Sequence, residues 1–176
     1  MRLAYKFKLY PNEEQEQKLL WMLDKCRFVY NQMLNDLNNQ EKTDKYALEH
    51  QLLSLKEKYP NLKGVYSQVL QNEVYSLFWN LKTLSKLKKK GKKVGRLRFK
   101  GKGWFKSFTY LPQFGFKIFQ TGKRFNILHL SKVGNIAIRV HRKIEGKIKA
   151  LTVKRSASGK WFACSRERSR CYSKRT

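Results

Sequence analysis

Between residues 64 and 106 the hydrophobic period of this chain changes, and that change constrains the fold more than any other feature. Val65, Val69, Leu70, Val74, Leu77, Phe78, Leu81 and Leu84 recur three and four residues apart, the apolar stripe of a helix. Ser67 stands where that periodicity begins and offers a hydroxyl as its N-cap. From Arg96 onward the period becomes two, the spacing of a half-buried strand. A chain in which a helical period gives way to a strand period in this manner is expected to be α+β.

The link between the two blocks is cationic. Ten Lys and Arg lie in residues 86–102, with no acid among them. Such a run repels itself and becomes favourable when a polyanion releases its counterions. Taken alone it is equally a solvated linker. Here Phe99, Trp104 and Phe108 interleave with Arg96, Arg98, Lys100, Lys102 and Lys106, a pattern that suits phosphate contacts combined with stacking. Lys88, Lys89, Lys90, Lys92 and Lys93 join them as candidate phosphate contacts, with nucleic acid as the expected partner.

Charge is distributed just as unevenly over the whole chain. Residues 1–80 hold 11 basic and 10 acidic residues, whereas residues 81–176 hold 29 and 2. The first part therefore reads as a conventional helical unit and the second as a surface for a polyanion. No apolar stretch approaches the ~20 residues of a membrane-spanning helix, so a membrane is not the expected partner; the cysteine usage makes a reducing cytoplasm the expected compartment. Cys26, Cys164 and Cys171 are odd in number and form no CxxC pair, which argues against zinc or disulfide frameworks.

In chain order, residues 2–9 alternate Leu3, Tyr5, Phe7 and Leu9 with Arg2, Ala4, Lys6 and Lys8, as a strand would. Pro11 ends it, and Asn12 is a good N-cap followed by Glu13, Glu14 and Glu16 in the first turn. The helix is expected to reach about Leu37, with Leu19, Leu23, Cys26, Tyr30, Met33 and Leu37 inward. Arg27 and Asn31 lie one turn apart on a neighbouring face and are candidate ligand contacts. Thr43 can cap a second helix that ends before Pro60, with Leu48, Leu52 and Leu55 along its stripe. A helix-turn-helix fits within this three-helix region.

Beyond the cationic run, residues 104–110 read as a strand, and 116–128 as a hairpin turning at Thr121-Gly122-Lys123. Ile136, Ile138 and Val140 alternate with polar neighbours, and 148–153 pairs with 161–163 across Ser156-Ala157-Ser158-Gly159. The expected architecture is a small antiparallel OB-like barrel carrying a three-helix insert after its first strand. Residues 1–10 form that strand, 11–90 the insert, 91–163 the rest of the barrel, and 164–176 an irregular basic tail. The tail sequence CSRERSRCYSKRT has no alternation, which fits either a disordered end or a frame change.

Catalytic groupings are not apparent. Only Glu145 and Glu167 are acidic after residue 81, and His50, His129 and His141 have no Asp, Glu or Cys at ligand spacing. The glycines of GKKVGRLRFKGKG fit neither phosphate-loop pattern.

The sequence resembles TnpB, the OrfB-type proteins of insertion sequences. The resemblance is carried in order by residues 5–15 (YKFKLYPNEEQ), 26–34 (CRFVYNQML), 65–74 (VYSQVLQNEV), 92–102 (KKVGRLRFKGK) and 145–163 (EGKIKALTVKRSASGKWFA). It implies a wedge-type β-barrel with a helical recognition insert, in an RNA-guided DNA endonuclease whose partners are a guide-type RNA and target DNA. It also implies that Ser67, Gln68 and Gln71 read a short motif beside the target, with Gln113 as a second element of that site. Arg27, Asn31, Arg96, Arg98 and Lys100 would then hold RNA or heteroduplex backbone. In that family a nuclease domain follows, with a strand-borne aspartate and a CxxC zinc ribbon that this sequence does not contain. The expectation is therefore a binding fragment without catalysis, Mg and Zn belonging only to the absent part. A stand-alone repressor-like relative, reading adenine edges through Gln68 and Gln71, is the rival. A remnant with an unpaired edge near Trp161 is a third reading.

Overall fold

The computed structural model describes residues 2–38, 45–112, 114–122, 124–142, 144 and 147–168. The expected caps at Thr43 and the turn residue Lys123 lie outside them. The chain divides into two compact units. One comprises residues 1–20 with 106–176 and the other residues 21–105, so the helical unit interrupts the sheet unit in sequence.

The sheet unit contains seven antiparallel strands: β1 (Arg2–Tyr10), β2 (Ser107–Tyr110), β3 (Phe116–Phe119), β4 (Asn126–Leu130), β5 (Gly134–Arg139), β6 (Lys147–Arg155) and β7 (Trp161–Arg168). They are ordered β2-β6-β7-β1-β5-β4-β3. One face is apolar: Phe7, Leu9, Phe108, Leu128, Ile136, Ile138, Leu151, Val153 and Ala163 are all buried. The sheet curls over that face. Tyr110, on edge strand β2, donates its hydroxyl to the carbonyl of Ser131 beyond β4 at 2.9 Å, which draws the two ends of the sheet together. The result is a curled half-barrel, with β1 at its centre rather than its edge.

Two expectations for this unit change. β7 does not stop at Ala163: its pairing with β1 runs to Arg2 opposite Arg168, so residues 164–168 are strand rather than irregular tail. Trp161 is likewise no edge residue, because β7 lies between β6 and β1. A strand hydrogen-bonded on both sides is held by its neighbours, whatever the propensity of Ser-Arg-Glu-Arg. Residues 169–176 lie outside the described part.

The first helix, α1 (Glu13–Asn38), begins with a reciprocal cap. Asn12 Oδ1 accepts from the Gln15 amide at 2.8 Å, and Gln15 Oε1 accepts from the Asn12 amide at 3.1 Å. Within the sheet unit this first turn is fixed by Trp161 Nε1 donating to Glu16 at 3.1 Å and by Gln15 Nε2 donating to the Asn135 carbonyl at 2.7 Å.

The helical unit comprises the rest of α1 with α2 (Lys45–Lys58) and α3 (Ser67–Lys89). Their stripes meet in a core of Met22, Leu23, Cys26, Tyr30, Met33, Leu48, Leu52, Val69, Leu70, Val74 and Leu77. A 3-10 turn, Pro60–Gly64, joins α2 to α3. Gly64 is required there, since a Cβ on it would sit 2.8 Å from Trp21 Cη2. Ser67 is not the N-cap of α3: it is the first helical residue, Tyr66 holds the cap position with no side-chain bond, and Ser67 Oγ instead accepts from Lys56 Nζ at 3.1 Å. Val65 precedes the helix and closes the 3-10 turn onto Leu62.

Candidate nucleic-acid interface

The basic region begins inside α3. Lys86, Lys88 and Lys89 occupy its last turn, where the partial negative charge of the helix end offsets their mutual repulsion. The stop is Gly91. Its positive φ of 71° lets the Lys92 amide reach the Leu87 carbonyl at 3.1 Å, while the Gly91 amide reaches that of Lys88 at 3.0 Å. This closes the helix with paired carbonyls and leaves Lys88, Lys89, Lys90, Lys92 and Lys93 exposed around one turn.

Residues 92–100 then form neither helix nor strand, so the period-two reading from Arg96 does not become a strand until Ser107. The physical reason is the partner the backbone finds. Asn31 on α1 takes the place of a neighbouring strand: its Oδ1 accepts from the Lys100 amide at 2.8 Å and its Nδ2 donates to the Lys100 carbonyl at 3.0 Å. Arg27 Nη1 donates to the same carbonyl at 3.4 Å, while its Nε and Nη2 bond Asp24 at 3.0 and 2.8 Å. Tyr30, between them on the helix, packs against Phe105 at 6.2 Å with Lys100 Nζ 5.9 Å above its ring. Arg27 and Asn31 thus position the cationic segment from beneath.

The segment's other side is open. Arg96, Arg98, Phe99, Lys102 and Trp104 are exposed, Trp104 at 76%. A turn in which the Trp104 amide bonds the Gly101 carbonyl, with Gly103 at φ 78°, turns that indole outward. Beneath residues 92–97 runs a cavity of about 910 Å³, floored by Leu34, Leu37, Leu81 and Leu84.

The other expected site residues are spread more widely. Ser67 is exposed, and Gln68 and Gln71 are half-buried on the first turns of α3. Lys106 belongs to the sheet unit, where its carbonyl accepts from the Arg155 amide at 2.8 Å. Gln113 lies outside the described residues. Sequence reasoning passed over Trp79, which is 57% exposed on α3 with Lys82 Nζ 5.0 Å from its ring. Its apolar neighbours in the sequence hid it in the stripe. Among the described residues no three His, Cys, Asp or Glu gather as a metal site, and no helix is long and apolar enough to cross a membrane.

A family model described as a helix-turn-helix domain, of the OrfB type, matches residues 1–45. The described residues of that span form β1, α1 and the first residue of α2. A curated protein of Escherichia coli (strain K12), named "Putative RNA-guided DNA endonuclease InsQ", is 33% identical over 166 residues. The match takes in 90% of this chain and 39% of that protein, so the chain spans about two fifths of its length. Over most of its length the chain is therefore similar to the OrfB or TnpB-type proteins of insertion sequences.

Proposed function

We propose that this chain is a DNA- and RNA-binding member of that family, acting by binding rather than by cleavage. Guide-type RNA and target DNA are the partners. The observation that carries the reading is the cationic segment itself: a run without an acid, fastened to α1 by Asn31 so that Arg96, Arg98, Lys102 and Trp104 face solvent together. Fixing the backbone in advance lowers the entropy lost when phosphates bind. The exposed Trp104 and Phe99 offer ring faces to unpaired bases. Ser67, Gln68 and Gln71 supply polar groups for contacts to a DNA motif. No metal or cofactor is needed for binding of this kind.

The test is the salt dependence of RNA binding. Replacing Arg96, Arg98 and Lys102 together with Glu should lower affinity and flatten the plot of log K against log salt by about 2, at roughly 0.7 per phosphate contact on a single strand. An unchanged slope and affinity would sink the assignment.

A further inference from the structure

The strand registers bring together a second basic surface that chain order hides. Lys154 on β6 pairs with Phe162 on β7, Phe162 with Lys8 on β1, and Lys8 with Arg139 on β5. These four residues form one row across four adjacent strands. Phe7 and Leu9 point into the core, so Lys6, Lys8 and Tyr10 of the same strand face outward. Two residues further along, about 7 Å away, a parallel row runs Tyr10, Ala137, Ile127 and Phe119. A cationic row therefore lies beside an apolar, partly aromatic one.

The rings are held in place. Lys6 Nζ stands 4.1 Å from the Phe162 centroid and Lys8 Nζ 4.8 Å from that of Tyr10. Tyr10 also meets Phe125 edge-on at 5.1 Å, and Arg124 lies 5.6 Å from the Phe125 ring. A depression of about 400 Å³ opens among Lys6, Lys8, Tyr10, Arg139, His141 and Phe162, and none of these is acidic. Three cations and an imidazole around partly exposed rings suit a polyanion that carries flat apolar groups. A duplex keeps its base faces inside its stack, whereas an unpaired strand presents them.

We propose that the outward face of β1, β5, β6 and β7 is a separate site for an unpaired nucleic-acid strand. Its phosphates lie along Lys154, Lys8 and Arg139, and its bases stack on Tyr10 and Phe162. The proposal takes its class of ligand from the function proposed above but uses none of the residues of the helical unit.

The experiment measures fluorescence anisotropy of the full chain with a labelled oligouridine and with a labelled hairpin duplex. Lys8→Glu with Arg139→Glu should weaken oligouridine binding about tenfold or more, as expected for two phosphate contacts in a stacking groove. The duplex should weaken by much less. In parallel, 5-iodouridine placed in the oligouridine should photo-crosslink the unaltered chain at Tyr10 or Phe162, which needs no variant to fold. Undiminished binding by the double variant, or crosslinks confined to other peptides, would overturn the site. Equal weakening for strand and duplex would overturn the claim that the strand is unpaired. If Arg96→Glu, Arg98→Glu and Lys102→Glu weaken binding and the sheet variant does not, only this second site fails. If neither set matters, both readings fail.

Discussion

Glu73 offers the sharpest check on the packing of the helical unit. It lies on α3 at 7% exposure, the one charged residue among that helix's buried positions. Burial pushes its carboxyl up to about 8, so it is neutral in the folded chain at pH 7. Cys26, on α1, feels the same environment: burial raises its thiol first, and Glu73 adds to the shift. Below the ordinary carboxylate value of 4.5 both folded and unfolded states keep the Glu73 proton, and the residue costs nothing through ionisation. Between there and about 8 the unfolded chain releases a proton that the folded chain retains, so stability falls as pH rises. At about 1.4 kcal/mol per unit, the cost is about 3 kcal/mol at pH 7 and about 5 kcal/mol once pH exceeds 8. Glu73→Gln keeps the shape and removes the ionisation. Urea unfolding followed by circular dichroism at 222 nm should show the variant gaining on the parent by about 3 kcal/mol between pH 4.5 and pH 7. The Cys26 thiol, raised by burial, stays protonated in both chains over that range, and the remaining groups drop out of the difference. A gap that stays constant from pH 4.5 to 9 would refute the placement of Glu73 in an enclosed core.

Two further outcomes follow from individual contacts. Asn31→Ala removes both bonds that hold the Lys100 backbone and should cost about 1–3 kcal/mol; the direct readout is faster trypsin cleavage within residues 92–102, and an unchanged cleavage rate would argue against the clamp. Ser165 is 1% exposed on β7 and its Oγ has no hydrogen-bond partner among the described residues, so Ser165→Ala should stabilise the sheet unit by about 1 kcal/mol in thermal melts, whereas a loss would mean the hydroxyl is satisfied.

Local order was legible in the sequence wherever one element's own residues set it. The stripe of α1, from Leu19 to Leu37, is buried as its spacing requires. The Asn12 cap, the hairpin of β3 and β4 and the pairing of β6 with β7 follow from turn chemistry and alternation within short windows. The uneven distribution of charge likewise located the cationic region before any fold was known. The tertiary structure decided everything that depends on partners distant in sequence. Asn31 and Lys100 are 69 residues apart, and only the packed chain shows that an amide side chain holds the backbone which period two had suggested was strand. β7 continues through a stretch with no strand pattern because β1 and β6 bond it from both sides. Lys8, Arg139, Lys154 and Phe162 become one row only through the register of four strands. Hydrophobic period is a property of a segment, and so sequence reveals it; which polar groups share a surface is a property of strand register, and register forms only when the sheet does.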